Sequence, residues 1–316
     1  MTGGTVLITG VGGFIGWRLA RTLVDAGRAV VGMDRVAPRQ EHGFAFVQAE
    51  LGDPHALYAT LRRHGVERIV HCGGISGPML AREAPHRVLE VNAGGTRHVL
   101  EAARVMGVSR VVFLSSIMAY GAQPSDRPVV EDAPLNACDP YGASKICGEA
   151  MLRAYAAQHG VDGASLRVAA VYGPGRTTDC VVRLMLQNAL DGRPTHIPHT
   201  GETRRQYVFV DDVVRAVILA LDSERLPLPA YNISGGTYLP LHEVAAVAAD
   251  VVPGVQVSFG ADPHPFDYPI GPFDLGASER DLGYVPRVPL RDGIAAYAEW
   301  LGHRADGRRR HGQHLK

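Results

Sequence analysis

The sequence predicts an α/β protein with a doubly wound parallel sheet and a smaller C-terminal lobe. Short runs rich in β-branched residues alternate with longer amphipathic stretches: TVLITG, FIGWRLARTLVDAG and AVVGMD come first, and RIVHC, RVVFLSS and ASLRVAAVYG follow. This alternation is typical of βαβ units, and apolar strands between helices indicate a parallel sheet covered on both faces. From about Tyr172 onward, Pro and Gly become frequent and long loops separate the helical patterns.

The first half is therefore predicted to be Rossmann-like, and the second half to carry a substrate-binding lobe on the same sheet. Helices in the second half are expected near residues 180–191, 211–222, 241–251 and 290–301. We predict three regions: a Rossmann domain over 1–171, a lobe over 172–302 with some elements returning to the sheet, and a flexible tail over 303–316. Open α/β sheets bind ligands at the carboxyl ends of their strands, so the lobe is expected to hold a substrate there.

Composition and charge favour small-molecule partners. The 316 residues include 32 basic and 32 acidic side chains, so no net field attracts nucleic acid or an anionic membrane. The chain enters its first strand at once and has no apolar run of membrane-spanning length. It has no CxxC pair and too few cysteines for a disulfide framework, so we expect a cytoplasmic protein without a metal site. Its cysteines are Cys72, Cys138, Cys147 and Cys180.

The first helix is preceded by TGVGGFIG, a candidate phosphate-binding loop. Gly10 can form the tight turn, Gly13 lets the backbone approach a pyrophosphate, and Gly16 lets helix and strand pack closely. The spacing departs from GxGxxG, because Ile15 stands where that pattern has its last glycine. A bare glycine triplet also fits an ordinary tight turn.

The second strand, AVVGMD, ends in Asp34, eighteen residues beyond Gly16. A carboxylate there can accept both ribose hydroxyls of an adenine dinucleotide and repels a 2′-phosphate, which favours NAD over NADP. The positive charge of the adjacent Arg35 would instead attract a 2′-phosphate and so favour NADP. The alternative is that Asp34 caps a helix or is a surface charge.

The strand RVVFLSS ends in Ser115 and Ser116, and YGASK follows with Tyr141 and Lys145 four positions apart. Residues at that spacing share one helix face, so the phenol and the ammonium can act on one small volume. Strand-end serines are also common in turns and caps.

Together these motifs resemble the extended short-chain dehydrogenase/reductases, and specifically the NAD-dependent epimerase/dehydratase family. The resemblance runs nearly end to end and adds HCGG, NAGGTRHVLEAA, VYGPG, RQYVFVDDV, YNISGG and LGYVP. It implies that Tyr141 exchanges a proton with a substrate hydroxyl during hydride transfer. Lys145 would favour the phenolate and bind the nicotinamide ribose, and Ser116 would hydrogen-bond the reacting oxygen.

The resemblance also implies which residues bind NAD. Besides Asp34, Tyr141 and Lys145, these are Gly10, Gly13, Phe14, Ile15, Gly16, Glu50, Leu51, Gly73 and Asn92. Glu50 and Leu51 stand where the family usually has Asp-Ile or Asp-Leu at the adenine. Asn92 is expected to orient the lysine, although Gly73 and Asn92 also fit structural roles in backbone approach and strand bonding.

The chain departs from the family pattern at substrate positions. Ile117 and Met118 stand where 4,6-dehydratases carry an acidic pair, so dehydration is disfavoured. Nucleotide-sugar members usually have an asparagine and two arginines where this chain has Ala170, Arg205 and His264. Arg205 also fits a surface role.

Two threonines precede a predicted helix in GRTTDCVV. Thr177 and Thr178 could cap that helix or bind a small carboxylate. With Ser116 and Arg205 they complete the set of candidate substrate-binding residues.

These observations leave three hypotheses. The first is an NAD-dependent dehydrogenase for a secondary hydroxyl of a sugar or sugar-derived hydroxy acid. The second is a nucleotide-sugar 4-epimerase with tightly held NAD, and the third is a non-catalytic NAD-sensing scaffold, which does not require Ser116, Tyr141 and Lys145. The resemblance further implies a homodimer formed through the helix of Tyr141 and the preceding long helix.

Overall fold

The computed structural model of the protein describes residues 4–38, 41–123, 127–263 and 269–312. Its strands are β1 (Thr5–Thr9), β2 (Val30–Asp34), β3 (Ala45–Gln48), β4 (Val66–His71), β5 (Arg110–Ser116), β6 (Gly163–Val168), β7 (Ala170–Tyr172), β8 (Thr195–His199), β9 (Arg204–Arg205), β10 (Tyr207–Phe209), β11 (Ala230–Ile233), β12 (Leu239–Pro240) and β13 (Val257–Asp262).

The helices are α1 (Phe14–Asp25), α2 (Pro54–His64), α3 (Pro85–Leu89), α4 (Gly95–Met106), α5 (Pro140–His159), α6 (Val181–Leu190), α7 (Val210–Asp222), α8 (Leu241–Val251), α9 (Gly276–Leu282) and α10 (Leu290–Gly312). A wide π turn over Glu90–Gly94 joins α3 to α4, and a 3₁₀ turn over Ile117–Ala119 follows β5.

The central sheet confirms the predicted doubly wound architecture. Seven strands lie in the order β11-β6-β5-β4-β1-β2-β3, and every neighbouring pair is parallel. The strand order reverses at β1: strands β2 and β3 follow on one side of it, and β4, β5, β6 and β11 follow on the other. Carboxyl ends of the strands near such a reversal form the crevice in which these sheets bind ligands.

Burial explains why these runs form strands and helices. All seven residues of β5 are buried, as a strand covered on both faces requires. Helix α5 begins with Pro140 after the N-cap Asp139, whose carboxylate accepts from the Gly142 N–H at 3.0 Å. The helix lies so close to β5 that a Cβ at Gly148 would be 2.5 Å from the Phe113 ring.

The chain forms two compact units. The first unit comprises 1–169, 213–233 and 269–285, and it holds the central sheet with helices α2, α4 and α5 packed in sequence. The second comprises 170–212, 234–268 and 286–316. Within it, β7 pairs with β10, β9 with β12 and β8 with β13, and helices α6, α8 and α10 pack against one another.

The C-terminal helix differs from the expected tail. Helices appear at all four predicted positions of the second half, but α10 continues to Gly312 instead of ending near 301. Extending an existing helix needs no new nucleation, and the arginines and alanine of this stretch have good helix propensity. Among the described residues, no helix is both long and apolar enough to cross a membrane.

Candidate active site

The glycine loop between β1 and α1 has the geometry of an anion site. Gly10 adopts a φ of +71°, which favours glycine, and a Cβ at Gly16 would lie 2.3 Å from the Gly10 carbonyl oxygen. Helix α1 has Gly13 at its N-cap, with no side-chain cap and no acidic residue in its first turn. The N–H groups of the first turn, which starts with Phe14 and Ile15, therefore fit a pyrophosphate.

Asp34 ends β2 beside this loop. Its carboxylate accepts from the Gly12 N–H at 2.9 Å and from the Val36 N–H at 3.2 Å. The side chain is half-buried, whereas Arg35 is exposed. These two backbone bonds hold the carboxylate at the glycine loop, which is the position that recognition of an adenosine ribose requires.

We expect Asp34→Ala to weaken NAD binding by about tenfold or more, because hydrogen bonds to charged groups contribute about 1.5–3 kcal/mol. The substitution should also narrow the preference for NAD over NADP by removing repulsion with the 2′-phosphate. Titrating both cofactors against wild type and variant measures this. Asp25→Ala, at the other end of α1, is the control. Equal wild-type affinities for NAD and NADP would mean that Arg35 outweighs the carboxylate.

Leu51 and Gly73 pack together near the same strand ends. A Cβ at Gly73 would lie 3.0 Å from Leu51 Cδ1, and one at Gly95 would lie 2.7 Å from Leu51 Cβ. Glu50 is exposed, and its carbonyl accepts from the Asp53 N–H at 3.0 Å. Gly73 therefore has a packing reason to be glycine, and NAD contacts of these residues stay a prediction.

Asn92 bonds the loop after β4 and the serine that precedes Lys145, and its expected role in orienting the lysine stays a prediction. Its Oδ1 accepts from the Ile75 N–H at 2.8 Å, and its Nδ2 donates to the Ile75 carbonyl and to Ser144 Oγ, both at 3.0 Å. Lys145 is not among its hydrogen-bond partners in the described part of the chain. Through these bonds the Asn92 amide joins Ile75, in the loop after β4, to Ser144, the residue before Lys145.

The three predicted catalytic residues lie on two adjoining elements. Ser116 ends β5, and its Oγ accepts from the Met118 N–H at 3.2 Å. Lys145, on α5, donates from Nζ to the Leu114 carbonyl at 2.7 Å, and the same Nζ lies 5.5 Å from the centre of the Tyr141 ring. The ammonium thus lies beside the Tyr141 ring and binds the carbonyl of Leu114, which precedes Ser116 by two residues in β5.

The pKa values of the buried groups around Lys145 indicate that the lysine, and not the neighbouring His71, carries the positive charge. Burial lowers the pKa of Lys145 to about 8, while Cys72 and Glu149 act to raise it. Burial and the Lys145 charge lower the pKa of His71 to about 3, so that imidazole is neutral. Burial raises the pKa of the Cys72 thiol to about 12. Lys145 is therefore protonated at neutral pH.

A buried polar network next to these residues was not predicted. Glu149, one turn beyond Lys145, pairs with Arg167 at 2.7 Å and accepts from Ser115 Oγ at 2.5 Å. The sequence carries a signal for the helix side of this network, since YGASKICGE puts Tyr141, Lys145 and Glu149 at successive four-residue intervals.

The candidate substrate residues Thr177, Thr178 and Arg205 lie in the second unit. Both threonines are exposed, and the Thr177 carbonyl accepts from Arg183 Nη1 at 2.7 Å. The N-cap of α6 is Cys180, so neither threonine caps this helix, and the alternative that they bind a small carboxylate stays a prediction. Arg205 is half-buried in β9, opposite Leu239 of β12. His264 lies outside the described residues.

In the described part of the chain, no group of three or more His, Cys, Asp or Glu side chains could hold a metal ion. The second aspartate of VFVDDV, Asp212, is structural: its carboxylate accepts from the N–H groups of Arg287 and Val288 at 2.9–3.0 Å.

Known proteins resemble the chain over almost its whole length. The profile of the NAD dependent epimerase/dehydratase family matches residues 6–234. The UDP-glucose 4-epimerase of Mycolicibacterium smegmatis is 32% identical, with 95% of this chain and 99% of that protein covered.

Solved structures of similar proteins also match nearly the whole chain. The Thermotoga maritima UDP-glucose 4-epimerase with UDP-glucose superimposes with a TM-score of 0.88 at 26% identity, covering 95% of this chain and 99% of that one. MoeE5 in complex with UDP-glucuronic acid and NAD gives 0.86 at 29% identity, covering 96% and 100%.

Proposed function

The chain belongs to the NAD-dependent epimerase/dehydratase family, and on that premise we propose that it oxidises a secondary hydroxyl of a sugar or sugar-derived hydroxy acid. The observation that supports this most is that Lys145 Nζ both donates to the Leu114 carbonyl and lies 5.5 Å from the centre of the Tyr141 ring, near the end of the strand that Ser116 terminates. NAD is the cofactor of the family, and the glycine loop and Asp34 fit its pyrophosphate and ribose.

The residues divide the chemistry between them. Tyr141 takes the proton of the substrate hydroxyl, and the neighbouring Lys145 ammonium favours the phenolate that does so. Ser116 Oγ donates to the oxygen that becomes a carbonyl. NAD supplies the acceptor for the hydride that leaves the carbon, which balances the two-electron oxidation.

Our proposal for the substrate is a free sugar or hydroxy acid, with NADH released. A nucleotide sugar brings two charged phosphates, whose desolvation is costly unless charge-assisted hydrogen bonds replace the water. Ala170 cannot donate from its side chain, whereas Arg205 could pair bidentately with one carboxylate, with Thr177 or Thr178 assisting.

The second candidate is a nucleotide-sugar 4-epimerase that oxidises and re-reduces one substrate while NAD stays bound. The relatives favour it, because a protein named UDP-glucose 4-epimerase is similar over 95% of this chain. A non-catalytic NAD sensor is the third candidate, and the retained Ser116, Tyr141 and Lys145 argue against it, since a sensor does not require them.

We expect calorimetry to show weak UDP binding and a response to a sugar acid that Arg205→Ala removes. UDP, UDP-glucose and a set of aldonic and uronic acids form the panel. Arg204→Ala is the matched control, because Arg204 is the exposed neighbour whose guanidinium lies 5.6 Å from the Tyr238 ring. Micromolar UDP binding that depends on Arg205, with no response to the acids, would reject this substrate and favour the epimerase.

Turnover separates the candidates independently of binding. Net NADH production identifies a dehydrogenase, interconversion of sugars without net NADH identifies an epimerase, and NAD binding without either identifies a sensor. The same panel of substrates serves for all three.

We further propose a homodimer formed through α4 and α5, and a cytoplasmic location. In favour of the dimer, α4 and α5 lie side by side and Val105 of α4 is 52% exposed. Sedimentation equilibrium of wild type and Val105→Asp tests the dimer: a monomeric wild type would reject it.

A further inference from the structure

Beside the candidate active site, helix α5 and strand β6 are joined by a buried ion pair. Glu149 and Arg167 approach to 2.7 Å, with side chains only 2% and 4% exposed, and Arg167 Nε donates to both carboxylate oxygens at 3.1 Å. Desolvating such a pair offsets most of its attraction, so it is weak evidence for stability. Its geometric effect is clearer: three donor–acceptor contacts between the two side chains join α5 to β6 at this point.

The pair also fixes α5 to the end of β5. Ser115 Oγ donates to Glu149 at 2.5 Å, and Lys145 Nζ donates to the carbonyl of Leu114 at 2.7 Å. Lys145 and Glu149 are one turn apart on the same helix face. Two consecutive strand residues immediately before Ser116 are therefore bonded to two consecutive turns of α5.

Arg167 extends the network to the chain that follows Ser116. It donates to Tyr120 Oη and to the Glu131 carbonyl, each at 2.7 Å, and Tyr120 Oη donates to Asn232 Oδ1 at 2.8 Å. Tyr120 directly follows the 3₁₀ turn after β5. Ser116 is thus held between Ser115 and Tyr120, both of which contact the ion pair.

We propose that Glu149, held by Arg167, is a positioning residue of the proposed reaction: it fixes α5 against the end of β5 so that Tyr141 and Lys145 face Ser116. This inference rests on the proposed function. Electrostatics support it, because Cys72 at the end of β4 and Glu149 on the same helix both act to raise the pKa of Lys145. The other titratable groups that face the ammonium are His71 and Tyr141. Glu149 opposes the effect of burial on the ammonium.

Two serine variants test the geometric part. Ser115→Ala removes only the hydroxyl that joins β5 to Glu149, and we expect kcat to fall by about tenfold with unchanged NAD affinity, since small misplacements of catalytic groups are costly. Ser165→Ala is the matched control, because Ser165 is buried in neighbouring β6 and its hydroxyl has no hydrogen-bond partner among the described residues. It should keep wild-type kcat.

Two carboxylate variants test the electrostatic part without turnover. Lys145 and Lys316 are the two lysines of the chain, so NMR of lysine-labelled protein can follow the Lys145 side chain directly. In Glu149→Gln the pKa of Lys145 should fall below its wild-type value of about 8, because a nearby negative charge is lost. Asp162→Asn, which breaks the Arg110 pair at the other end of β5, should leave it unchanged.

The two tests distinguish a failure of the proposed function from a failure of the positioning role of Glu149. If wild type oxidises none of the substrates, the proposed function fails, and the Lys145 signal alone decides the inference: it should move in Ser115→Ala and not in Ser165→Ala. Unchanged kcat and an unchanged Lys145 signal in Ser115→Ala would overturn the positioning role. A fall in kcat in Ser165→Ala as large as that in Ser115→Ala would also overturn it. If Glu149→Gln does not fold, the serine pair decides.

Discussion

Tyr141→Phe should lose most turnover, by about a hundred- to ten-thousandfold, while the fold and NAD affinity are kept. The substitution deletes only the phenolic oxygen, to which we assign the proton exchange with the substrate hydroxyl. Lys145 Nζ, 5.5 Å from the centre of the ring, keeps its bond to the Leu114 carbonyl. The packing of the ring in its buried position is retained as well.

Steady-state turnover and NAD titration of the purified variant measure this effect. Tyr155→Phe is the matched control, because it makes the same change on the same helix, where Tyr155 Oη donates to Glu101 at 3.1 Å. The control should retain wild-type turnover. Near wild-type turnover in Tyr141→Phe would remove Tyr141 from the mechanism.

Lys145→Met should have the second largest effect, a loss of turnover of about a hundredfold or more together with weaker NAD binding. Methionine keeps the apolar stem but removes the ammonium beside Tyr141. It also leaves the Leu114 carbonyl without its donor. A variant that binds NAD and turns over as wild type does would show that the charge is not needed.

The same lysine sets an expected pH limit for wild type. Burial lowers its pKa to about 8, so the protonated form is complete at lower pH and is lost as pH rises through that value. Because the proposed mechanism uses the charged form, kcat should fall on the alkaline side near pH 8. A kcat that stays constant well above that pH would separate the lysine charge from turnover.

The sequence predicted the sheet, and the neighbouring positions of Tyr141 and Lys145, because these signals are local. Apolar runs such as RVVFLSS form buried strands wherever helices cover them, and the four-residue spacing of Tyr141 and Lys145 is a property of one helix. The sequence predicted that some elements after residue 172 return to the sheet, but it did not identify them as residues 213–233 and 269–285, because such packing depends on contacts distant in the chain.

The contacts of single side chains were equally hard to foresee. Asn92 binds the backbone of Ile75, which no spacing in the sequence indicates. Glu149 was detectable as a third residue on the helix face of Tyr141 and Lys145, but its partner Arg167 lies on another element. Helix α6 starts at Val181, within one residue of the predicted start, but which residue occupies its N-cap was too fine a detail for a pattern to fix.

The most direct test of the proposed function is whether the protein reduces NAD while it oxidises a substrate hydroxyl. Single-turnover absorbance of reduced nicotinamide, recorded after mixing the NAD complex with the sugar acids and nucleotide sugars, detects NADH whether it is released or retained. We expect a signal with at least one substrate that is slower when the reacting carbon carries deuterium and absent in Tyr141→Phe. Binding of NAD and substrate without any reduced nicotinamide, or an undiminished signal in Tyr141→Phe, would contradict the proposed hydride transfer.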